Sequence, residues 1–412
     1  MPVDAQGPAG EPDAAVPGQR VLPHTWEEAR ATAFTVAGPL PALDLALAQA
    51  AGRKLAADVF ALQPMPHYAS SAMDGWAVAG SPPWILAEPG RRLSPGQAVP
   101  IVTGGLLPPG AKAVLRSEAG LLSTDDDGLP VLVLGGAARP GEPKNGQHIR
   151  PAGQEAAQGE LLAKAGTVLN PAHISLAALG GLDTLSVLGR PAVQLVLTGD
   201  EVVQSGIPAP GRVRDAFTPQ LGGVVELLGG TVVGLRRAAD NLAATLEALA
   251  DAEGNPADVV VTTGATGRSS ADFLRPAIER MGGIFHIDGI AMRPGHPSLL
   301  AEFPDGRFLV GLPGNPLAAM VALLTVGAPL LARLGSSPMP PTFEVACGSP
   351  IKEYHGPTRI VPYRLVYGLA SPCANTDSAM MRGLAAADGL MVVPPHGAKM
   401  GEALTALGLP WK

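Results

Sequence analysis

Arg307-Phe308-Leu309-Val310-Gly311-Leu312-Pro313-Gly314-Asn315-Pro316 is the stretch that decides the fold. Arg307–Gly311 ends in a short apolar run and reads as a buried strand, and Pro316–Leu331 is long and apolar and reads as a helix. Between them, Asn315 is a helix-capping residue type and Pro316 presets the first helical turn. Gly314 has no side chain, so a ligand can reach the backbone there. The loop therefore reads as an anion site built from the free amides and positive end of the helix. Taken alone, an ordinary strand-to-helix turn explains it equally well.

Working outward, the same alternation recurs. Val193–Leu197, Thr231–Leu235 and Val259–Thr262 are apolar strand candidates. Helices are expected from Thr218-Pro219 to about Gly229, from a cap at Asp240 to about Ala250, and over Ala271–Met281. Strands alternating with helices at this spacing predict a mainly parallel, doubly wound α/β sheet over residues 187–340, joined by 21–41. In such sheets ligands bind beyond the C-terminal ends of the strands. Three glycine loops fall there: Thr198-Gly199-Asp200-Glu201, Thr262-Thr263-Gly264-Ala265-Thr266-Gly267, and the loop quoted above.

The flanking texture differs. Thr25-Trp26-Glu27-Glu28 has capping-box spacing and should open a helix to about Val36, and a second helix is expected over Ala42–Ala51. Residues 61–159 carry short β-like runs between Pro and Gly (Trp84–Leu86, Ala113–Leu115, Val131–Leu134), which predicts an inserted, mostly β lobe. Residues 42–60 with 160–186 read as a linker region, with a helix from Asn170-Pro171 to Gly180. Residues 341–412 read as a small β-domain, with strands at Phe343–Cys347, Thr358–Val366 and Leu390–Val393. Residues 1–20 read as a tail with neither signal-peptide nor anchor character.

Composition narrows the function class. The chain has 412 residues, 46% hydrophobic but only 4% aromatic, so its core is built from Ala, Val and Leu. The net charge is −7 with no basic stripe, which argues against a nucleic-acid partner. Two cysteines, Cys347 and Cys373, give no disulfide framework, and a reducing, cytoplasmic setting is expected. The longest apolar stretch, Leu317–Leu334, is interrupted by Thr325, Gly327 and Pro329 and reads as a buried helix rather than a membrane span. No dinucleotide fingerprint, Walker loop, zincin motif or nucleophile elbow is present.

Charged residues cluster near the glycine loops. Glu201, Asp215 and Asp272 should lie on or near the strand ends, and Arg293 and His296 flank Pro294-Gly295. Anion-binding amides and arginine beside several carboxylates suggest a phosphate ester held through a divalent metal, with Mg²⁺ the default. Singly, each carboxylate is explained as well by a solvated charge or a cap, and His296 by a surface position. In the inserted lobe, Ser70 to Ala77 and Thr103-Gly104-Gly105 read as turns on composition alone.

Five motifs in order resemble the molybdopterin molybdenumtransferase family, the bacterial MoeA proteins and the gephyrin E domain. Pro66–Ala77, ending Ser-Ala-Met-Asp-Gly-Trp-Ala, resembles that family's P-x-F-D-x-S-A-M-D-G-Y-A. Thr103-Gly104 with Pro108, Gly110, Ala113-Val114 and Glu118 is similar to T-G-x-x-x-P-x-G-x-x-A-V-x-x-x-E. Thr198–Val202 is similar to T-G-D-E-L/V, Arg293–Pro297 resembles K-P-G-K-P, and Gly311–Pro316 has the form G-L-P-G-N-P in full.

The resemblance implies a homodimer of four-domain subunits whose last domain is a β-barrel. Its cleft would lie between the doubly wound domain of one subunit and the inserted lobe of the other, which would bring Asp74 to Glu201. The implied reaction inserts molybdenum from molybdate into adenylylated molybdopterin, releases AMP and uses Mg²⁺ or Zn²⁺. Carried over residue by residue, Asp74, Glu201, Asp215 and Asp272 are the functional carboxylates, the last three as metal ligands. Ser71, Thr103, Thr198, Gly199, Thr263, Gly264, Arg293, His296, Pro313, Gly314, Asn315 and Pro316 are the substrate-binding set.

Four places depart from the family pattern. Thr263–Asp272 replaces T-G-G-x-S-x-G-x-x-D and loses two glycines and the serine, with Gly267 and Arg268 offering a different anion contact. Asp215-Ala216-Phe217 replaces D-S/T-N, Arg293 and His296 replace two lysines, and Ala69 replaces an Asp. An active, divergent transferase and a pterin-binding paralogue or scaffold with little chemistry both accommodate these changes.

Overall fold

The structure is a computed structural model, and it describes residues 23–250, 256–267 and 272–412. The expected tail over 1–20 and residues Arg268 to Ala271 of the second glycine loop lie outside the described residues. The chain divides into two units, Pro41–Leu188 and the remainder, Met1–Leu40 with Gly189–Lys412.

In the larger unit a six-stranded sheet runs in the order Thr231–Ala238, Ala192–Thr198, Val259–Thr263, Phe308–Leu312, Leu299–Glu302, Ile284–Asp288. The first four strands are parallel. The last two pair antiparallel, with Leu299–Glu302 running against its neighbours, so the sheet is mainly parallel as expected. Helices Thr218–Leu227, Leu242–Leu249 and Leu274–Arg280 connect the strands. Val259, Val260 and Val261 are all buried because both sheet faces are covered, which is why these strands read as continuous apolar runs.

Pro316–Leu334 is one buried helix, in agreement with its reading as a core element. A π-helical turn over Leu323–Gly327 interrupts it just ahead of Pro329, a residue with no amide to donate to the ladder. Helix Trp26–Thr35 packs on it behind the expected capping box, with Thr25 and Glu28 each accepting the other's backbone N–H. Arg30 from that helix is buried and donates to the carbonyls of Leu324 and Pro340, and burial pushes its pKa down to about 10.

The C-terminal strands Leu369–Pro372, Thr358–Val366, Gly389–Val393, Ala403–Leu407 and Thr342–Ala346 pair in that order. The bridge from Cys347 to Ala370 closes the ring, as the expected β-barrel requires. Cys347, Tyr363, Ala370 and Met391 fill its interior.

In the smaller unit, six short strands pair in the order Ala113–Arg116, Gly75–Ala79, Gln97–Ile101, Trp84–Leu86, Pro130–Leu134, Gly120–Thr124. Alternation along Gly75–Ala79 sends Val78 to a cluster around Trp84 and Leu132, and Ala77 and Ala79 to one around Leu93 and Val99. The helix expected over Ala42–Ala51 is instead strand Leu43–Ala46 followed by a single turn, Leu47–Ala50. The strand forms because Thr184–Val187 pairs with it antiparallel, a tertiary contact that overrides the Ala/Leu helix propensity.

One buried charge anchors this lobe. The Glu142 carboxylate is 6% exposed and accepts from Arg116 Nε at 2.9 Å and the Arg139 amide at 2.9 Å. These bonds, that of Arg116 foremost, hold its pKa down to about 2, against an ordinary 4.5. A depressed carboxylate stabilises the fold above its unfolded pKa and loses that contribution as pH falls through the folded one. Glu142→Gln is therefore expected to cost about 2 kcal/mol at neutral pH. The difference from wild type should shrink as pH falls from 4.5 toward about 2. Urea unfolding across that range checks it.

Candidate active site

Strands Ala192–Thr198, Val259–Thr263 and Phe308–Leu312 end at a cavity of about 170 Å³. Its wall takes Thr198, Gly199 and Glu201 from the first glycine loop, Thr263, Gly264 and Ala265 from the second, and Gly314 from the third. Asp215 and Asp272 join them. The loops interlock: Thr198 Oγ1 donates to the Thr263 carbonyl at 2.7 Å, and the Gly264 amide donates to the Leu312 carbonyl at 2.9 Å. Gly264 lies at φ +79°, and a Cβ there would sit 2.7 Å from Thr198 Oγ1, so only glycine fits this crossing.

Two lining residues carry charges that the sequence reading did not assign to the site, Arg237 and Asp240. Arg237 was passed over. Asp240 was read as a helix cap, but Asn241 caps that helix by accepting from the Ala244 amide. Asp240 instead accepts from the Asp200 amide at 2.9 Å, tying the first loop to the neighbouring strand end.

Asp215 differs from its expected role as a metal ligand. It is 6% exposed, and all its lone pairs are used. Oδ1 accepts from the Phe217 and Thr218 amides at 2.9 and 3.0 Å, and Oδ2 accepts from Thr218 Oγ1 at 2.5 Å and from Arg237. Burial pushes its pKa up, but the bonds from Thr218 and Arg237 outweigh this and hold it below the usual carboxylate value. A cation at Asp215 would have to displace these donors beside an arginine. Among the described residues, no group of three or more His, Cys, Asp or Glu forms a ready cation cluster. Glu201 and Asp272, the other two carboxylates of the expected metal set, both line the cavity.

The loop Gly311–Pro316 also departs from its reading. Pro316 has no amide, and the Leu317 and Ala318 amides both donate to the Ser378 carbonyl, at 2.9 and 3.1 Å. Asn315 stands at the cap position without a capping bond, its Nδ2 donating to Ser378 Oγ at 3.2 Å. The helix end that was expected to hold an anion is thus occupied by a carbonyl. Gly314 alone of this loop lies in the cavity wall among the described residues, and Pro313, Asn315 and Pro316 do not line it.

Arg293 and His296 lie in the same unit but not in that wall. Arg293 donates to Tyr354 Oη at 2.8 Å and is in register with Arg359 on the adjacent strand, so two cations stand side by side. His296 Nδ1 is 2.8 Å from the Ile290 carbonyl. A carbonyl only accepts, so Nδ1 carries the proton and Nε2 is the outward nitrogen.

In the altered second loop, Ala265 sits at φ +52°, a left-handed conformation where a Cβ is strained. A Cβ on Gly267 would lie 2.6 Å from Asp272 Oδ2, so a side chain there would push that carboxylate aside. Ala265→Gly should relieve about 1–2 kcal/mol of strain against about 0.5–1 kcal/mol of added unfolded-state entropy. The expected result is a slightly higher melting temperature in a thermal melt.

The smaller unit brings the second group of expected residues together. Asp74 Oδ1 accepts from the Thr103 amide at 2.7 Å and from Thr103 Oγ1 at 3.0 Å. These two bonds hold the Asp74 carboxyl below its usual value, so it stands exposed and ionised. Ser71 is fully buried, donating through Oγ to the Met73 carbonyl at 2.5 Å and accepting from the Met73 amide at 3.3 Å. It shapes the Asp74 turn and offers no hydroxyl to a substrate, a correction to its expected role.

Three family profiles cover most of the chain: MoeA N-terminal region (domain I and II) over residues 24–181, "Probable molybdopterin binding domain" over 194–333, and MoeA C-terminal region (domain IV) over 344–407. The molybdopterin molybdenumtransferase of Nostoc sp. is 32% identical over 304 residues, 69% of this chain and 67% of that one. The Haemophilus influenzae molybdopterin molybdenumtransferase is 32% identical over 305 residues, 70% of this chain and 72% of that one. Among solved structures, a molybdopterin biosynthesis MoeA protein from Pyrococcus horikoshii shares the fold with a TM-score of 0.67 at 24% identity, over 93% of this chain and 98% of that one. On profiles that span both units and relatives that cover two thirds of each chain, this protein belongs to the MoeA family of molybdopterin molybdenumtransferases.

Proposed function

We propose that the chain is a molybdopterin molybdenumtransferase, which takes molybdenum from molybdate into adenylylated molybdopterin and releases AMP. The cavity at the ends of the parallel strands carries this reading, because it gathers the residues of three separate glycine loops into one wall. Gly264 and Gly314 give the ligand access to backbone, and Thr198 fixes the crossing between loops. Glu201 and Asp272 would hold Mg²⁺, or Zn²⁺, which would neutralise the phosphate charge. Asp74, kept ionised by Thr103, is a further functional carboxylate. Arg293 and His296, outside the cavity wall, would meet parts of the substrate that extend beyond it, Arg293 as a permanent cation.

The reading includes a homodimer, and a cytoplasmic setting in keeping with the two free cysteines. Sedimentation should return twice the mass of one chain, and a single-chain mass would overturn the dimer. A second reading, a pterin-binding paralogue with little transfer, is favoured by the strained Ala265 in the wall. Complementation of a strain lacking the transferase, assayed at limiting molybdate, separates the two. Restored molybdoenzyme activity that is lost with Asp74→Ala or Glu201→Ala supports transfer. Stable protein that binds the pterin yet fails to complement supports the paralogue.

A further inference from the structure

We infer that Arg237 is the residue that grips the substrate's phosphate, and that Asp215 serves as a positioning residue for it rather than as a metal ligand. This rests on the transferase reading above. The observations begin with charge. Glu201, Asp215, Asp240 and Asp272 line the cavity, and Arg237 is the one cation among the described lining residues. The guanidinium is therefore the one positive side chain this wall offers a phosphoanhydride, beside the charge that Mg²⁺ at Glu201 and Asp272 would supply.

Strand geometry puts that cation in place. Arg236 and Arg237 are consecutive near the C-terminal end of strand Thr231–Ala238, so their side chains leave on opposite faces. Arg236 turns to the carbonyls of Glu247, Ala248 and Ala250 and ties down a helix end. Arg237, in register with Leu197 on the next strand, turns to the cavity, and its side chain is 29% exposed.

The guanidinium is held at one corner only. Nη2 donates to Asp215 Oδ2 and, at 2.7 Å, to Thr218 Oγ1. Nε and Nη1 have no hydrogen-bond partner among the described residues, so on either flank of the planar guanidinium an N–H remains for an oxygen of the ligand. Asp215 is itself pinned through Oδ1 to the Phe217 and Thr218 amides at the start of helix Thr218–Leu227. The chain of contacts runs from helix end to carboxylate to guanidinium to ligand. Each member is fixed before substrate arrives, which lowers the ordering cost of binding.

Equilibrium binding to the full-length protein tests this, with adenylylated molybdopterin and, separately, the same pterin lacking phosphate as probes. Arg237→Gln should weaken the phosphorylated probe by about 30-fold and leave the unphosphorylated one within about twofold. Arg237→Lys, which keeps the charge but not the several fixed N–H donors of the guanidinium, should recover part of that loss. Asp215→Asn should weaken the phosphorylated probe by about tenfold, and combining it with Arg237→Gln should add nothing further. The Mg²⁺ concentration for half-maximal AMP release should be unchanged in Asp215→Asn. Equal losses for both probes, or unchanged binding in Arg237→Gln, would overturn the role of Arg237. A raised Mg²⁺ requirement in Asp215→Asn would return Asp215 to the metal. Wild-type protein that binds neither probe would instead overturn the transferase reading beneath it.

Discussion

Glu201→Gln is expected to slow AMP release from adenylylated molybdopterin by about 10²–10⁴-fold while leaving the melting temperature unchanged. The side chain is exposed and lies in the cavity wall, so the fold does not depend on its charge. Its position depends on Gly199, at φ +117°, where a Cβ would come 3.0 Å from Glu201 Oε2. The carboxylate is therefore folded back over the loop and presented at the strand end. Gln keeps the volume and removes the negative charge, which is what a Mg²⁺-assisted phosphate reaction needs at that place. Single-turnover AMP release is the measurement, and a rate within about threefold of wild type would remove Glu201 from the chemistry.

Gly75→Ala is expected to unfold the smaller unit's sheet locally, at a cost of about 4 kcal/mol or more. Gly75 lies at φ +148°, and a Cβ would fall 2.0 Å from the Leu115 carbonyl oxygen and 2.8 Å from the Ser117 amide nitrogen. Both are backbone atoms, the first on the paired strand Ala113–Arg116 and the second just past its end, and neither can rotate away. The neighbouring Asp74 carbonyl accepts from that same Ser117 amide at 2.9 Å, so the distortion also moves the exposed carboxylate off Thr103. Gly128→Ala is the control, because it too has positive φ, +82°, but nothing within 4 Å of its Cβ. It should cost only about 1–2 kcal/mol. Chemical unfolding of both variants reads the difference, and equal costs would show that strain rather than collision governs the Gly75 turn.

Much of the larger unit was readable because its parallel strands are buried on both faces. Val193–Leu197, broken only by Gln194, and Val259–Val261 are apolar runs, as strands covered on both faces require. Strands Ile284–Asp288 and Leu299–Glu302 were not read as part of the sheet. They are short and antiparallel, and His286, Asp288 and Glu302 interrupt their apolar pattern. Leu43–Ala46 was misread because its strand state depends on Thr184–Val187, about 140 residues away, and local propensity carries no information about such a partner.

The site divides in the same way. Thr198, Gly199, Glu201, Thr263, Gly264 and Gly314 could be placed because the ends of parallel strands are a general binding edge. Arg237 obeyed the same rule and left a usable signal, two consecutive arginines near a strand's end, one of which had to face the cavity side. The Ser378 carbonyl that takes the Leu317 and Ala318 amides left none, since it comes from the C-terminal part of the chain. Asp215 was recognised as functional from its position, but its partners decide what it does. Four donors around one carboxylate make an anchor rather than a ligand set.

The most direct test of the account uses the purified protein, adenylylated molybdopterin, molybdate and Mg²⁺, and follows AMP and pterin-bound molybdenum together. The account predicts AMP release matched one for one by molybdenum on the pterin, abolished by Glu201→Gln and impaired by Arg237→Gln. Tight binding of adenylylated molybdopterin with no AMP released, at any molybdate concentration, would contradict it and leave a protein that holds the pterin without completing the transfer.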